Sequence, residues 1–277
     1  MGKFDGCILA CDVDGTLVSN GVLPERNVPK IIEFTKEGGI FALATGRSPI
    51  AVKEAVAGIK RYIGPSVVTN GSVVYDFANQ KEIVSISVAN DAKEVICEAS
   101  EKFKKVGIEI HCGTKVFNIN PNSDLRLHQS YESFCGKDVN ARDIIFENWN
   151  KLVLIADEFR WCEEIIGFIK SKNNNFHSVH TNAVIKSKMR DYIEILPNGA
   201  NKAAALKQLC KMLNIKKGGY FAIGDFYNDI EMLSAADIAA CPCDSPDEIK
   251  KHADYLTAEA LDGAVAHFIE YLQKEIK

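Results

Sequence analysis

The sequence contains no apolar run long enough to cross a bilayer and no large excess of charge of either sign. Its 33 lysine and arginine residues against 37 aspartate and glutamate residues give a net charge of −4 at pH 7. Such a balance argues against nucleic acid or an anionic membrane as a partner, because both attract strongly basic proteins. The N-terminal stretch also lacks the apolar core of a signal peptide. We therefore expect a cytoplasmic protein, either a monomer or a dimer.

Cysteine pairs with the spacing of a zinc site are absent from the sequence. The nine cysteines are scattered along the chain, and Cys241 and Cys243 form the only close pair. An odd and dispersed set of cysteines is typical of buried reduced thiols, with metal or redox chemistry as the alternative. We therefore expect no disulfide framework.

At 277 residues, the chain can bury a sizeable core in one large or two modest domains. Four short apolar segments are typical of strands buried on both faces of a parallel sheet, and helices are predicted between them. The segments are residues 6–11, 40–44, 66–69 and 220–223. Ligands of such a sheet bind beyond the carboxyl ends of its strands. We therefore expect one edge of the sheet to bring together the polar residues that follow these segments, namely Asp12, Thr45, Asn70 and Asp225.

Residues 83–188 have a different pattern, in which half-buried strands alternate with shorter helices. We interpret this block as an α+β domain inserted into a first domain made of residues 1–82 and 189–277. The apolar pattern resumes near Tyr192, and residues 192–196 are predicted as a strand of the first domain. The predicted fold class is therefore α/β, with a Rossmann-like parallel-sheet core domain and an inserted α+β domain.

Several carboxylates at the predicted edge suit a divalent cation. Asp12 and Asp14 are two positions apart at the end of a strand, so their side chains can face the same way, and Asp225 follows another strand. Asp229 lies behind them, although it could simply cap a helix. Clustered carboxylates repel one another, and either a cation or a shared proton would relieve that repulsion. Mg²⁺ prefers such oxygen ligands, usually completed by waters and a phosphate. An acidic surface turn is the alternative interpretation of residues 12–16 alone.

Cationic and amide groups are predicted on the opposite side of the same edge. Lys202 lies in the first turn of a predicted helix, where its charge opposes the helix dipole, and an anion between them would explain its position. A solvated surface lysine is the alternative. Thr45 and the backbone amides of Gly46 and Asn70 add hydrogen-bonding groups. A phosphate is the ligand that would contact both a metal ion held by the carboxylates and the cationic and hydrogen-bonding groups on the opposite side.

In this order the motifs resemble those of the haloacid dehalogenase superfamily of phosphohydrolases. Residues 12–16 (DVDGT) resemble its first motif, residues 45–47 (TGR) the second, Lys202 the third, and residues 224–229 (GDFYND) the fourth. The insertion between the second and third motifs resembles the Cof-type subgroup, which carries an α/β cap domain. Residues 241–245 (CPCDS) stand where many of these relatives carry Met-Gly-Asn-Ala, so substrate contacts of that loop are not carried over.

The resemblance implies a role for each motif residue. It implies Asp12 as a nucleophile that forms an aspartyl-phosphate, and Asp14 as the residue that protonates the leaving oxygen and later activates water. It implies Mg²⁺ held by Asp12, the backbone carbonyl of Asp14 and Asp225. Arg47 would bind the substrate or tie this edge to the cap, and a plain surface ion pair is an equal alternative. Substrate-binding roles are implied for Thr45, Gly46, Arg47, Lys202 and Asn228.

We therefore expect a Mg²⁺-dependent phosphatase that hydrolyses phosphomonoesters of small metabolites, with sugar phosphates as the first candidates. A phosphomutase or phosphotransferase with the same nucleophile is the close alternative, and a non-catalytic sensor of phosphorylated ligands is an alternative of another class. The cap, residues 83–188, would select the substrate. There we expect structural roles for Trp149, Trp161, His177 and His180. Three other residues are candidates for substrate contact, namely Arg126, His128 and Arg190.

Overall fold

The chain divides into two compact units in the computed structural model, which describes residues 2–185 and 188–276. The described residues of the core unit are 2–47, 52–84 and 201–276, and those of the inserted unit are 48–51, 85–185 and 188–200. None of the helices among the described residues combines the length and the apolar character needed to span a membrane.

The two units contain strands and helices in the following order. The strands are β1 (Ile8–Cys11), β2 (Ile40–Leu43), β3 (Ser66–Val68), β4 (Val73–Asp76), β5 (Lys81–Ser85), β6 (Gly107–Cys112), β7 (Lys115–Ile119), β8 (Lys137–Asp138), β9 (Lys151–Ile155), β10 (His177–Ile185), β11 (Lys188–Leu196), β12 (Tyr220–Ile223), β13 (Ile238–Pro242) and β14 (Tyr255–Thr257). The α-helices are α1 (Asn27–Lys36), α2 (Pro49–Val52), α3 (Asn90–Lys102), α4 (Ser123–Tyr131), α5 (Phe159–Lys172), α6 (Lys202–Met212), α7 (Ile230–Ala235), α8 (Asp247–Lys250) and α9 (Ala264–Glu275). Short 3₁₀ turns include Thr69–Gly71 and Tyr227–Asp229.

The core unit is built on a five-stranded parallel sheet in the order β14-β13-β12-β1-β2. Its strands are apolar on both faces because helices cover both faces. On one face, Leu9 of β1 packs in a cluster with Phe34 of α1 and Phe268 of α9. On the other, Ile8 packs in a cluster with Leu206 of α6. The predicted α/β fold class with a parallel-sheet core is confirmed.

The third predicted strand is not a member of this parallel sheet, and that part of the prediction is wrong. β3 pairs antiparallel with β4 in a separate three-stranded sheet that also contains β5. A single isolated parallel bridge, between Val67 of β3 and Ala44, connects β3 to the residue that follows β2. The chain reverses directly after β3, where Thr69, Asn70 and Gly71 all have positive φ angles of 50°, 53° and 95°. This tight turn brings β4 back alongside β3.

The inserted unit is built on a six-stranded sheet in the order β10-β11-β9-β6-β7-β8, in which only the β7–β8 pair is parallel. Helices α3 and α5 cover one face, where the fully buried Trp149 packs in a cluster with Leu152 and Leu154. Helix α4 packs on the opposite face, where Leu125 shares a cluster with Val153. The expected structural role of Trp149 agrees with this burial.

The inserted unit extends further along the chain than the sequence predicts. Residues 192–196 were expected in the core sheet, but they form part of β11, which pairs antiparallel with β10 and β9. Ile193 and Ile195 pack into the core of the inserted unit. The second boundary therefore lies between Ala200 and Asn201 instead of near residue 189. The first boundary, between residues 84 and 85, lies close to the predicted one.

The sequence pattern also predicts a hairpin of residues 176–180 and 183–186 across Thr181-Asn182, and this prediction is wrong because both turn residues lie inside β10. This strand runs without interruption from His177 to Ile185 and pairs along its whole length with β11. The connection between the two strands consists of residues 186–187, which lie outside the described residues. A polar Thr-Asn pair is a frequent turn signal, but here long antiparallel pairing on both sides of it keeps the backbone extended.

Candidate active site

Strand register brings the first candidate residues to one edge of the core sheet. Cys11, the last residue of β1, lies opposite Ile223 of β12 and Leu43 of β2, so the chain leaves all three strands at the same level. The N–H of Asp12 continues the ladder by donating a hydrogen bond to the carbonyl of Ile223 at 3.0 Å. Asp225 follows one residue beyond Gly224. The carboxyl ends of these strands are the edge at which the sequence predicts a ligand.

Lys202 is a buried lysine, not the solvated surface lysine of the alternative interpretation. Its residue is 3% exposed, and its Nζ donates hydrogen bonds to Asp12 Oδ1 at 2.7 Å and to Asp229 Oδ1 at 2.8 Å. Burial alone would lower the pKa of Lys202, but the two carboxylates outweigh burial and raise the pKa above its ordinary value. Lys202 therefore supplies a fixed positive charge between two acidic side chains.

The start of helix α6 is held in place by its cap and by a close backbone approach. The Asn201 side chain accepts a hydrogen bond from the N–H of Ala204 at 3.0 Å, which satisfies one free amide of the first turn. Gly71 lies against this cap, and a Cβ added there would come within 2.3 Å of the Asn201 carbonyl oxygen. The φ angle of Gly71, +95°, also favours glycine at this position. The turn after β3 thus fixes the position from which Lys202 extends.

Asp229 anchors both the lysine and the loop that follows β12. It is fully buried, and its Oδ1 accepts the hydrogen bond from Lys202. Its Oδ2 accepts hydrogen bonds from the N–H groups of Asp225 at 3.1 Å and Phe226 at 3.2 Å. Asp229 is the N-cap residue of α7, but its side chain makes no capping hydrogen bond to that helix, so the simple N-cap role considered for it does not explain its position. Because both of its carboxylate oxygens accept hydrogen bonds, Asp229 orients Lys202 and the backbone of Asp225 and Phe226.

Asp225 is oriented by the turn that follows Asp12. Thr16, which is fully buried, donates a hydrogen bond from Oγ1 to Asp225 Oδ1 at 2.7 Å. Gly15 has a φ of +79°, and a Cβ added there would lie 2.3 Å from Asp225 Oδ2. Gly15 is therefore required by the backbone conformation and by the proximity of the carboxylate. Gly15 and Thr16, which follow Asp12 along the chain, thus help to position a carboxylate from a different strand end, that of Asp225.

Oxygen atoms of Asp12, Asp225 and Asp229 all lie within 4.8 Å of one another. Burial raises the pKa of the Asp12 carboxyl well above its usual range, Lys202 opposes this shift, and Asp229 adds to it. Burial likewise raises the pKa of Asp225 to about 7, against the hydrogen bond from Thr16. At an effective dielectric near 20, two carboxylates at this distance repel by about 3 kcal/mol.

A divalent cation fits this acidic group. With all three carboxylates ionised, the single ammonium leaves two negative charges, which a divalent cation would balance, and carboxylate oxygens are the ligands that Mg²⁺ prefers. Asp12 and Asp225 each keep one oxygen that accepts no hydrogen bond from the described residues. The site residues are thus able to hold a metal ion, with Asp12 and Asp225 as its carboxylate ligands.

The side chain of Asp14 does not join the acidic group. It is 54% exposed and forms a bidentate ion pair with Arg47, with Nε–Oδ2 at 2.7 Å and Nη2–Oδ1 at 2.8 Å. The Arg47 side chain is only 12% exposed. Of the alternatives for Arg47, a plain surface pair does not fit a guanidinium so well buried. Arg47 instead fixes the orientation of the Asp14 carboxylate.

The remaining predicted residues lie near this edge in different environments. Thr45 is 1% exposed, and its Oγ1 accepts a hydrogen bond from the N–H of Arg47 at 3.1 Å. The Thr45 carbonyl accepts a hydrogen bond from the N–H of Asn70 at 3.0 Å, and Gly46 lies against the Asn70 side chain. Asn228 is exposed in the 3₁₀ turn after β12. Sequence reasoning missed Thr16 as a partner of Asp225; its place directly after Gly15 was the available signal.

The three residues considered for substrate contact in the inserted unit are engaged with acidic partners there. Arg126 pairs with Asp138, with Nη2–Oδ1 at 2.6 Å. Arg190 Nη1 donates a hydrogen bond to Asp124 Oδ1 at 2.6 Å. The remaining residue, His128, is buried, and its Nδ1 lies 3.1 Å from the Glu109 carboxylate. Structural roles therefore account for these contacts of Arg126, Arg190 and His128.

The whole chain resembles curated proteins of similar length. A protein of Streptococcus pyogenes serotype M6, provisionally named a phosphatase, is 26% identical over 274 residues, which cover 95% of this chain and 96% of the relative. The 5-amino-6-(5-phospho-D-ribitylamino)uracil phosphatase of Bacillus subtilis is 23% identical over 266 residues, which cover 95% of this chain and 94% of the relative. These matches extend across both units.

A solved structure with the same fold is that of a sugar phosphatase of haloacid dehalogenase subclass IIB, with a TM-score of 0.78. Sequence identity is 18%, and the match covers 96% of this chain and 99% of the other. The sequence profile of the haloacid dehalogenase-like hydrolases matches residues 9–269. The chain therefore belongs to the haloacid dehalogenase-like hydrolases and is an enzyme of phosphatase type, as the order of its four motifs predicts.

Proposed function

We propose that the protein is a Mg²⁺-dependent phosphatase that hydrolyses phosphomonoesters of small metabolites, with Asp12 as the nucleophile. One observation carries this proposal: Lys202 donates to Asp12 while an oxygen of Asp225 lies within 4.8 Å of an oxygen of Asp12. A single carboxylate thus stands between a fixed cation and a second acidic group. This arrangement suits a phosphoryl group, which needs positive charge on its oxygens and a nucleophile at its phosphorus.

Asp12 is suited to attack phosphorus because its position is fixed and its surroundings are largely dry. Its residue is 7% exposed, and Lys202 holds Oδ1 at 2.7 Å. In the first step, an Asp12 oxygen forms a bond to phosphorus while the bond to the leaving alcohol oxygen breaks. The product is an aspartyl-phosphate. Lys202, together with amides near Gly46 and Asn70, would stabilise the negative charge on the phosphoryl oxygens.

Asp14 is proposed as the acid–base residue. In the first step, its carboxylic acid donates a proton to the leaving alcohol oxygen. In the second step, the Asp14 carboxylate accepts a proton from water as the water oxygen bonds to phosphorus. The Asp12–phosphorus bond then breaks, which releases inorganic phosphate and the Asp12 carboxylate. The partial exposure of Asp14 supports this role, because the group must reach both alcohol and water.

Asp12, Asp225 and the backbone carbonyl of Asp14 are the groups proposed to hold Mg²⁺. When bound, the ion supplies positive charge that allows a carboxylate to approach an anionic phosphate. Thr16 supports this assignment, because its hydrogen bond to Oδ1 orients Asp225. Asp229 serves a different purpose, since Lys202 and two backbone N–H groups engage its oxygens.

Small phosphorylated metabolites, sugar phosphates among them, are the proposed substrates. The Bacillus subtilis relative is named for a phosphorylated ribitylamino-uracil, and the solved relative is a sugar phosphatase. Selection among such substrates is assigned to the inserted unit, residues 85–200, as a cap.

The cysteines support the cytoplasm as the proposed compartment. Among the described residues no cysteine forms a disulfide, and six of the nine are buried: Cys7, Cys11, Cys97, Cys112, Cys162 and Cys241. Thiols of this kind persist where the compartment is reducing. Cys135 and Cys243 are exposed and Cys210 is half-buried, so burial holds for most of the set rather than for all of it.

Phosphate release from a panel of phosphorylated metabolites tests the proposed function. We expect turnover of several sugar phosphates with Mg²⁺, loss of turnover with EDTA, and recovery when Mg²⁺ is restored. Turnover that persists in EDTA would contradict the assignment of the acidic group to a metal. An added second sugar tests the main alternative, because a phosphotransferase would form a new phosphoester instead of inorganic phosphate.

A further inference from the structure

Two neighbouring aromatic side chains on the loop after β12 are exposed. Phe226 is 53% exposed and Tyr227 is 55% exposed. The other aromatic residues that the structure describes in the core unit are buried or half-buried, and Phe34, Phe221 and Phe268 are wholly buried. Large apolar side chains held at a surface often mark a place where a ligand or partner binds.

The two rings form one continuous apolar surface. Their centroids lie 5.0 Å apart with an angle of 82° between the planes, which is an edge-to-face contact. Such a contact is a favourable arrangement of aromatic rings, and it limits the freedom of both side chains. The pair therefore behaves as a single rigid feature.

The backbone that carries this pair is tied directly to the catalytic groups. The N–H of Phe226 donates a hydrogen bond to Asp229 Oδ2 at 3.2 Å, and the N–H of Asp229 donates to the Phe226 carbonyl at 2.9 Å. Asp229 in turn holds Lys202, and Asp225 directly precedes Phe226. The aromatic pair is thus fixed relative to the residues assigned to the metal and the phosphate.

We infer that Phe226 and Tyr227 form a platform for the leaving group of the substrate, and that they favour phosphomonoesters whose alcohol carries a ring. This inference rests on the proposed function, since it assigns the phosphoryl group to Asp12, Lys202 and Asp225. The leaving group departs from the same phosphorus, and the loop that carries the two rings begins directly after Asp225, one of the residues assigned to that group. Planar rings stack on aromatic side chains, whereas a small acyclic alcohol gains little from them.

Benzyl phosphate and ethyl phosphate test the inference as a matched pair. Both are phosphate esters of primary alcohols, so the demand for proton donation is similar and the ring is the main difference. We expect the Phe226→Ala, Tyr227→Ala double variant to lower kcat/KM for benzyl phosphate about tenfold, mainly through KM, and to leave ethyl phosphate within about twofold. Tyr227→Phe, which keeps the ring, should keep the preference.

Leu261→Ala is the matched control, because Leu261 is an exposed apolar residue of the core unit at 57% and lies outside the loop after β12. It should change neither ester. Equal losses for both esters in the double variant would overturn the platform, because they would indicate damage to the loop itself. No loss for either would also overturn it. Failure of the wild-type enzyme to hydrolyse any phosphomonoester would instead overturn the proposed function.

Discussion

Lys202 Nζ lies 2.7 Å from Asp12 Oδ1, although 190 positions of sequence separate the two residues. The contact joins the end of β1 to the first turn of α6, and Asp229 completes it from the loop after β12. Lys202 is buried with both carboxylates, so its removal would leave two buried carboxylates without the cation they share.

Replacing Lys202 should damage both activity and stability. In Lys202→Met, Asp12 and Asp229 lose the cation they share, so we expect activity to fall by about 10³-fold and the free energy of unfolding to fall by about 3 kcal/mol. Hydrolysis of p-nitrophenyl phosphate and urea unfolding measure the two effects. Lys207→Met, at an exposed position of the same helix, is the control and should stay within about 0.5 kcal/mol of wild type. An active Lys202→Met enzyme would refute the assigned role.

A methyl group at Gly15 should weaken metal binding through Asp225. In Gly15→Ala, the added Cβ would lie 2.3 Å from Asp225 Oδ2 and displace that carboxylate. We expect the Mg²⁺ concentration for half-maximal activity to rise by about tenfold or more. Gly21→Ala is a matched control, because Gly21 has a similar φ of +76° but no atom within 4 Å of the added Cβ. It should lose about 1 kcal/mol of stability from backbone strain and keep the wild-type Mg²⁺ requirement. Equal Mg²⁺ requirements in the two variants would argue against the role of Asp225.

Arg47 should matter most for substrates that need a proton donor. Arg47→Met removes the two hydrogen bonds that orient Asp14, so kcat for benzyl phosphate should fall roughly tenfold or more. With p-nitrophenyl phosphate, whose leaving group needs no proton, the loss should be smaller. Arg61→Met, at an exposed arginine of the core unit, should change neither rate. Equal losses with both substrates would indicate that Arg47 binds the phosphate instead.

Glu109 and His128 should make the stability of the inserted unit depend on pH. Burial alone would raise the pKa of Glu109, but His128 and His111 outweigh it and lower the pKa to about 2. Burial alone would lower the pKa of His128, but Glu109 outweighs it and raises the pKa above its ordinary value. The contribution of Glu109 is thus present above pH 4.5 and lost as pH falls toward 2. That of His128 is present below pH 6.5 and lost as pH rises through its raised pKa.

Glu109→Gln should therefore destabilise the inserted unit most between about pH 5 and 6, by roughly 3 kcal/mol. The difference from wild type should shrink at lower pH and at pH well above 7. Tryptophan fluorescence during urea unfolding reports on this unit, because Trp149 and Trp161 are the only tryptophans and both lie within it. Glu158→Gln, at an exposed side chain of the same unit, is the control. A difference that is constant with pH would contradict the charge pairing.

The sequence predicts those parts of the site that depend on strand ends. Apolar segments that end in Asp12 and in Gly224-Asp225 indicate parallel strands and a shared edge, because few other arrangements bury such segments on both faces. Lys202 could be proposed from its unfavourable position in the first turn of a helix. Its partner Asp229 could not, since nothing local distinguishes an N-cap aspartate from one that also holds a lysine 27 positions away.

Strand membership was harder to predict where the local pattern suits two sheets. Residues 192–196 are apolar at four of five positions, which fits a core strand, yet their pairing with β10 and β9 places them in the inserted unit. Likewise, residues 66–69 resemble a buried parallel strand, and only the reversal at Thr69–Gly71 turns them into a hairpin with β4. In both cases the partner strand decides, and single-sequence patterns carry no information about the partner.

The most direct measurement is to quench the enzyme in acid during turnover and to map the phosphoryl group by mass spectrometry. We expect it on the peptide that contains Asp12, as an acyl phosphate, and we expect neither label nor turnover in Asp12→Asn. Asp247→Asn, at a side chain 96% exposed, should be labelled like wild type. Phosphate release without a phosphoryl group on Asp12, or turnover by a folded Asp12→Asn enzyme, would contradict the account.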